Sequence, residues 1–401
     1  MLRIAVREFS DFENALAEQI ALYRTLHPDV AFEAKALDLH KLHAELFEKA
    51  GLRSGTWDIG YISTDWLAEA VDEETLEELS PYLQRKPVPD WPQGWASSLV
   101  EPLYFDEKLY TLPWHDGPEC LMYRRDLFED ASEQEAFRRR YGYELAPPTT
   151  WSQFTDIARF FTRPAQGLYG TVFAAFPDGH NTLYDFALQL WSRGGDLNAP
   201  LDSTEAVAAL DFYRETIRDA SQSYPGAEKL DSTRSGDVFL SGAVAMMVNW
   251  FGFAARCDRP GSPLRGKVAI APIPADPGKP AISLSVFWTL GIGSGSKHKQ
   301  AAYDFLHFLT QPALDKKMVR HGTVGVRLST WRDADVREHA PVYTKIEEIS
   351  LSARRLPRSR ALPAFAAILN DVATAALATG EPSVEILRKA QRRRTAEKIE
   401  F

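Results

Sequence analysis

The sequence predicts an α/β protein built as two lobes. Three observations predict it. Short apolar runs alternate with amphipathic stretches at helical spacing. The chain has 401 residues, more than one hydrophobic core keeps filling. Prolines break it at Pro113, Pro118 and Pro147-Pro148, after which the rhythm restarts.

Leu2–Val6 reads as a strand, and Phe12–Leu26 follows with Ala15, Leu16, Ile20 and Tyr23 on one helical face. Val30–Ala34 is the next strand, Leu39–Ala50 a helix, and Trp57–Ile62 a third strand, the material of a mostly parallel sheet. Two apolar runs, Leu109–Leu112 and Cys120–Tyr123, flank a loop fenced by Pro113 and Pro118 that carries Trp114, His115 and Asp116. Thr150 is the N-cap expected for a helix through Phe161. Asn181–Ser192 is an apolar helix stopped by Gly194-Gly195, and Ser203–Ala220 is a long amphipathic one. A short helix after Val238 leads into a strand, Ala243–Val248, ending at Asn249-Trp250. Val268–Ile273 and Ser283–Ile292 read as strands, Lys299–Thr310 and Ala361–Ala378 as helices. The last fourteen residues hold six Lys or Arg against two Glu, the pattern of a solvated helix face.

The formal charge of -9 argues against a nucleic-acid partner, which calls for a basic face. No stretch approaches 18 consecutive apolar residues, so none reads as a membrane span. The first residues lack the apolar stretch of a secretory signal, which fits either a cytoplasmic protein or a mature chain with a starting Met. Cys120 and Cys257 are expected to be buried free thiols, although one disulfide is open to them.

Catalytic motifs are missing. There is no Gly-x-Ser-x-Gly elbow and no Cys/His context around either cysteine. His40 and His43 lie three apart on a helix without a third ligand nearby, so no metal or other cofactor is expected. The glycines at 291, 293 and 295 match neither phosphate-binding spacing and read as a strand-to-helix turn with Ser296 as cap. The aromatic residues carry more. Trp66, Trp114 and Trp250 fall where apolar runs end, next to Asp65, to His115 and Asp116, and to Asn249. Strand ends are where α/β proteins bind ligands, and a ring that stacks on a sugar beside groups that take its hydroxyls makes a carbohydrate site. Trp288, inside an apolar run, reads as core or hinge packing.

Five blocks in order then carry a resemblance: Trp57-Asp58-Ile59 through Trp66 with Leu79-Ser80-Pro81-Tyr82-Leu83; Lys108–Phe128; Pro148–Trp151; Phe239–Met246 with Trp250; and Ala301–Thr310 with Pro312. Over nearly its whole length the chain resembles the family 1 extracellular solute-binding proteins of ABC importers, the maltose-binding-protein-like group. The resemblance implies a type II periplasmic-binding-protein-like fold, with two discontinuous α/β lobes, hinge crossovers and a solute held between them. The lobes would comprise 1–113 with 287–331, and 114–286 with 332–401. The crossings would fall in Pro113–Pro118, near Ser283–Trp288 and near Thr330–Asp335.

It also implies site residues. Glu8, Phe9 and Asp11 follow the first strand. Asp65 and Trp66 match a strand-end acid and its neighbour, and Asp116 a crossover acid, with Trp114 and His115 beside it. His180 and Asn181 lie in the turn Asp178-Gly-His180-Asn181, where second-lobe contacts are expected. Asn249 and Trp250 end the Ala-Met strand, Arg327 sits in a loop that lacks the usual proline, and Phe365 stands near a second stacking ring. Arg354, Arg355 and Arg358 read as a surface cluster from which one side chain could reach an acidic sugar. The expected protein is a monomer, not an enzyme, that captures a mono- or oligosaccharide by lobe closure. It would deliver that solute to a membrane permease from the periplasmic or extracellular face. A polyamine or phosphorylated glycerol as ligand, a carbohydrate-active enzyme, and a cytoplasmic or tethered sensor are the other readings.

Overall fold

The computed structural model describes residues 1–178 and 180–401. Contacts divide the chain into two compact units: 1–117 with 286–347 and 358–360, and 118–285 with 348–357 and 361–401. The first two divisions fall at Gly117/Pro118 and Ser285/Val286. The third lies at Glu347/Glu348, with a short return at 358–360, and not at Thr330–Asp335. Thr330 and Trp331 are buried in the first unit, held through Thr330 Oγ1 to Asp315 (2.5 Å) and Trp331 Nε1 to the Gly325 carbonyl (2.5 Å). A segment tied in this way cannot be where the chain leaves.

The first unit is built on a five-stranded sheet in the order Phe32–Leu37, Leu2–Arg7, Ile59–Ser63, Trp288–Ile292, Thr111–His115. The first three strands run parallel, in the register Leu2↔Phe32 to Arg7↔Leu37 and Ile4↔Ile59. Trp288–Ile292 is antiparallel to both its neighbours. The sheet is therefore mixed, because this strand comes from a segment that re-enters the unit from the opposite end. The helix Ser10–Leu26 buries Phe12, Ala15, Leu16, Gln19 and Tyr23, a stripe at helical spacing. The helix predicted over Leu39–Ala50 is α-helical only to His43 and continues as a wider turn, Ala44–Glu48.

The Pro113 reading needs correction. Thr111–His115 is a strand, so the proline lies inside it, and the loop shrinks to Asp116–Pro118. Pro113 is tolerated because this strand is at the sheet edge. Opposite it, Trp288 pairs with His115 and Thr289 with Pro113, leaving Trp114 as an extra residue in a bulge.

The second unit has a four-stranded sheet, Val268–Ala271, Glu119–Arg124, Val244–Trp250, Tyr169–Val172, in which only the last pair is parallel. Ser283–Leu284 pairs with Ala353–Arg354 in a separate ribbon. The run Ser283–Ile292 is thus two strands of two different sheets rather than one. Thr150 caps the helix Trp151–Phe161 with the reciprocal Gln153 contact. The helix Asn181–Trp191 is buried on all sides, and Leu362–Ala378 packs against it and against Ser383–Ala396. That last helix departs from the solvated reading at Arg394, which is buried over Phe365 and Phe401 and donates to the Ala199 and Ile399 carbonyls. Cys120 and Cys257 are free and buried. Among the described residues no helix is long and apolar enough to cross a membrane.

Candidate functional site

In the first unit, the parallel strands deliver their carboxyl ends to one edge of the sheet. Glu8 and Phe9 follow Arg7, and Thr64 and Asp65 follow Ser63. Trp288 pairs with both Ser63 and His115, which brings the start of its strand to the same edge. Phe12 lies at the centre. Its ring meets Phe9 (5.2 Å), Trp114 (5.0 Å), His115 (4.6 Å), Trp288 (6.0 Å) and Tyr61 (6.2 Å). Phe9, Asp65, His115 and Trp288 are half-buried, Glu8 is exposed, and Asp11 is buried. Trp288 is therefore a candidate contact that the sequence reading assigned to packing; its signal was its place at the start of an apolar run.

The polar groups of this edge are set by their surroundings. His115 Nδ1 accepts the Val324 N–H at 2.9 Å. Burial pushes the imidazole pKa down to about 3, so the ring is neutral with its proton on Nε2. Asp116 is 1% exposed, and its N–H donates to the Val324 carbonyl at 3.4 Å. Burial raises its carboxyl to about 7, against a smaller opposing hydrogen bond from the Gly117 N–H. Its Oδ1 has no partner among the described residues. An orphaned buried carboxyl oxygen is expensive to leave unpaired, which marks it as a place for a ligand donor.

Three expected contacts in this unit are otherwise engaged. Trp114 is 6% exposed, its Nε1–H donates to Gln19 Oε1 at 3.1 Å, and Tyr61 packs edge-on at 4.7 Å. Its ring is part of the core rather than a stacking surface, because the bulge aims it inward. Trp66 is buried between His43, Phe47 and Trp288. Arg327, 1% exposed, is spread over the Trp95 ring at 4.2 Å and donates to Asp90 (2.7 Å) and to the Thr310 and Pro89 carbonyls. Both terminal nitrogens of its guanidinium are bonded inside the unit. His43 pairs with Glu69 at 2.8 Å rather than with a metal, and among the described residues no group of three or more His, Cys, Asp or Glu is placed to hold one. The glycine turn is structural: a side chain at Gly295 would lie 2.0 Å from the Arg53 carbonyl oxygen, and Ser296 bonds Asp58 and the His298 N–H.

The second unit presents a comparable edge. Glu119, at the start of its strand, pairs across the ladder with Trp250 at the end of Val244–Trp250. Trp250 is half-buried and meets Tyr184 edge-on at 5.6 Å. Asp185 follows Tyr184 on the apolar helix. Glu119 is 4% and Asp185 9% exposed. Burial holds both carboxyls well above the usual range, and the Asp185 charge adds to it for Glu119, as the Asp178 charge does for Asp185. Glu119 Oε2 and Asp185 Oδ2 have no partner among the described residues. The sequence reading missed both acids. Asp185 was legible as the one acid in an otherwise apolar helix, and Glu119 as the acid next to Pro118.

Other expected contacts of this unit are structural. Asn249 donates to the Ser232 carbonyl and Ser235 Oγ and accepts the Trp250 N–H, so its amide is committed. Asn181 donates its amide to Asp178, which also accepts the His180 and Asn181 N–H groups. Gly179 of that turn lies outside the described residues. His180 is half-buried against Tyr184. Phe365 is fully buried between Phe401 and Arg394. Arg354 lies over Trp191 and pairs with Asp196. In the first unit, Arg358 lies over Phe105 and bonds the Tyr104 and Glu101 carbonyls.

Comparison with known proteins assigns this arrangement to a family. The model of the bacterial extracellular solute-binding proteins matches residues 41–316. A probable ABC transporter-binding protein of Deinococcus radiodurans is 27% identical over 62% of the chain, a match spanning 59% of the relative's own length. A mannitol-binding protein of Pseudomonas aeruginosa is 24% identical over 78% of the chain and 71% of its own length. Among solved structures, maltose-bound MalE3 of T. maritima superimposes with a TM-score of 0.85 at 22% identity, covering 99% of both chains. A ribitol complex from Agrobacterium radiobacter K84 gives 0.86 at 21% identity, covering 98% of this chain and 97% of its own. The two-lobed periplasmic-binding-protein-like fold with discontinuous lobes is thereby shown, and the chain belongs to the bacterial extracellular solute-binding protein family.

Proposed function

We propose that this protein is the substrate-binding component of an ABC importer that captures a sugar or polyol and delivers it to a membrane permease. The observation that carries the reading is the strand-end edge of the first unit. There the half-buried rings of Phe9 and Trp288 stand with Asp65, neutral His115 and Asp116, whose Oδ1 has no partner among the described residues. Rings of this kind stack on the C–H faces of a carbon chain or pyranose, while carboxyl oxygens and an imidazole N–H take hydroxyls in charge-assisted and neutral hydrogen bonds. Relatives that bind mannitol, ribitol and maltose support the same solute class. Glu8, Asp11, His180 and Trp250 are further candidate contacts. Binding would take place outside the cytoplasmic membrane, without turnover.

The test is a thermal-shift screen of hexoses, hexitols, pentitols and maltodextrins, followed by titration of the hits with intrinsic tryptophan fluorescence. A ligand that binds only the folded protein raises its melting temperature by mass action. The expected result is a rise with at least one polyhydroxylated solute and a fluorescence change that Trp288→Phe reduces. A screen in which only phosphoesters or unhydroxylated amines shift the transition would overturn the solute class. Release of a shorter saccharide during incubation would overturn the non-enzymatic reading.

A further inference from the structure

The second unit buries two carboxyl groups, each with one oxygen that has no hydrogen-bond partner among the described residues. Glu119 Oε2 and Asp185 Oδ2 are closed off from solvent without hydrogen-bond partners, on residues more than nine-tenths buried. The Asp185 charge bears on Glu119 and the Asp178 charge on Asp185, all of one sign. Tyr213, one helix away, senses the same negative field from Asp185 and Asp178. An acidic pair of this kind is stable only when protons or a bound cation neutralise it. The surroundings select the cation. Two carboxyls are too few for a calcium-type site, which takes six to eight oxygens. The Trp250 ring stands directly across the ladder from Glu119 instead, with Tyr184 edge-on to it. Aromatic faces next to carboxylates suit an organic ammonium group, which offers several N–H donors together with a positive charge.

We infer that Glu119 and Asp185 hold a cationic nitrogen of the solute, so that the preferred ligand is an amino sugar or amino polyol. This rests on the reading that the solute is polyhydroxylated, and adds a charged group to it. A neutral hydroxyl would leave the pair protonated and make no ionic contact with it. An ammonium group satisfies both and displaces the protons that neutralise the pair in the free protein.

The experiment is calorimetric titration of the full chain with matched pairs, glucosamine against glucose and glucamine against sorbitol, together with putrescine as an amine without hydroxyls. It is repeated with Glu119→Gln and Asp185→Asn, which keep the side-chain shape and remove the charge. The expected result is that one amine binds at least about tenfold more tightly than its neutral counterpart, and that both variants abolish this preference while keeping the wild-type circular dichroism. Binding of the amine should also release protons, seen as a heat that differs between phosphate and Tris buffers. Equal affinity for the amine and its neutral partner overturns the inference and leaves sugar or polyol capture standing. Binding of putrescine with no response to any sugar or polyol supports the cation site and overturns the polyhydroxylated solute. An unchanged amine preference in a folded Glu119→Gln/Asp185→Asn double variant also overturns the inference.

Discussion

The backbone N–H of Val324 donates to Nδ1 of His115 at 2.9 Å. This contact fixes the imidazole as the Nε2–H tautomer, turning one donor toward whatever lies at the sheet edge, and burial keeps the ring neutral with a pKa of about 3. Folding therefore excludes a proton that the unfolded chain takes up near the ordinary value of 6.5. The unfolded state binds more protons between those values, so the His115 contribution is intact above pH 6.5 and is lost as the pH falls toward 3. His115→Asn, whose side-chain oxygen can still accept from Val324, should remove that loss. Melting curves of the variant and wild type should diverge on acidification from pH 7 to 4, with the variant losing less. Parallel curves would show that His115 is charged in the folded protein.

Its neighbour works in the opposite sense. The Asp116 carboxyl is raised to about 7 by burial, so the folded state holds a proton that the unfolded chain releases near 3.8. Its contribution is present below 3.8 and is lost as the pH rises through 7. Asp116→Asn should accordingly gain stability over wild type from pH 5 to 8, by an amount on the order of a few kcal/mol at the upper end. Denaturant unfolding at pH 5 and pH 8 measures it. Because the two groups oppose each other between pH 4 and 6.5, the wild-type profile should be flatter than that of either variant.

Two tryptophans at the same edge should separate stability from binding. Trp114→Phe removes the donor from Gln19 Oε1 inside the core and should cost about 1–3 kcal/mol of stability. Its affinity for the solute should stay within about twofold of wild type. Trp288→Ala removes a half-buried ring and should weaken solute binding by about tenfold. Unfolding curves and titration of the same two proteins decide it, and a large affinity loss in Trp114→Phe would return that ring to the binding surface.

Arg327 is expected to behave as a structural cation. Its guanidinium joins Asp90, two backbone carbonyls and the Trp95 face, with Asp315 buried close by. Arg327→Met should destabilise the protein by about 3–5 kcal/mol, since it breaks a buried charged network from one side. Affinity per folded molecule should be unchanged, as read by titration under conditions where the variant is fully folded.

Much of the local structure was legible in the residues. The alternation of apolar runs gave the strands at Leu2, Trp57 and Val244, and Thr150 with Gln153 announced the start of its helix, because these signals act within a few residues. Strand partners were less legible. The run Ser283–Ile292 reads as one mainly apolar strand, yet it serves two sheets, and periodicity carries no information on where a strand pairs. The same limit applied to the site. Residue type singled out Trp114, Asn249, Arg327 and Phe365, but each has already spent its hydrogen bonds or its faces inside its own unit.

By itself, the sequence determined the α/β class, the presence of two lobes, the order of the family blocks and the strand ends at which polar and aromatic residues gather. Only the tertiary structure decided which of those residues remain available. The segment 113–118 shows why. Its prolines and its Trp-His-Asp run are written in the chain, but the bulge opposite Trp288 turns Trp114 into the core, and the backbone of Val324 fixes His115 and Asp116. A side chain's partner, burial and protonation depend on groups far away in sequence, and those are set by packing.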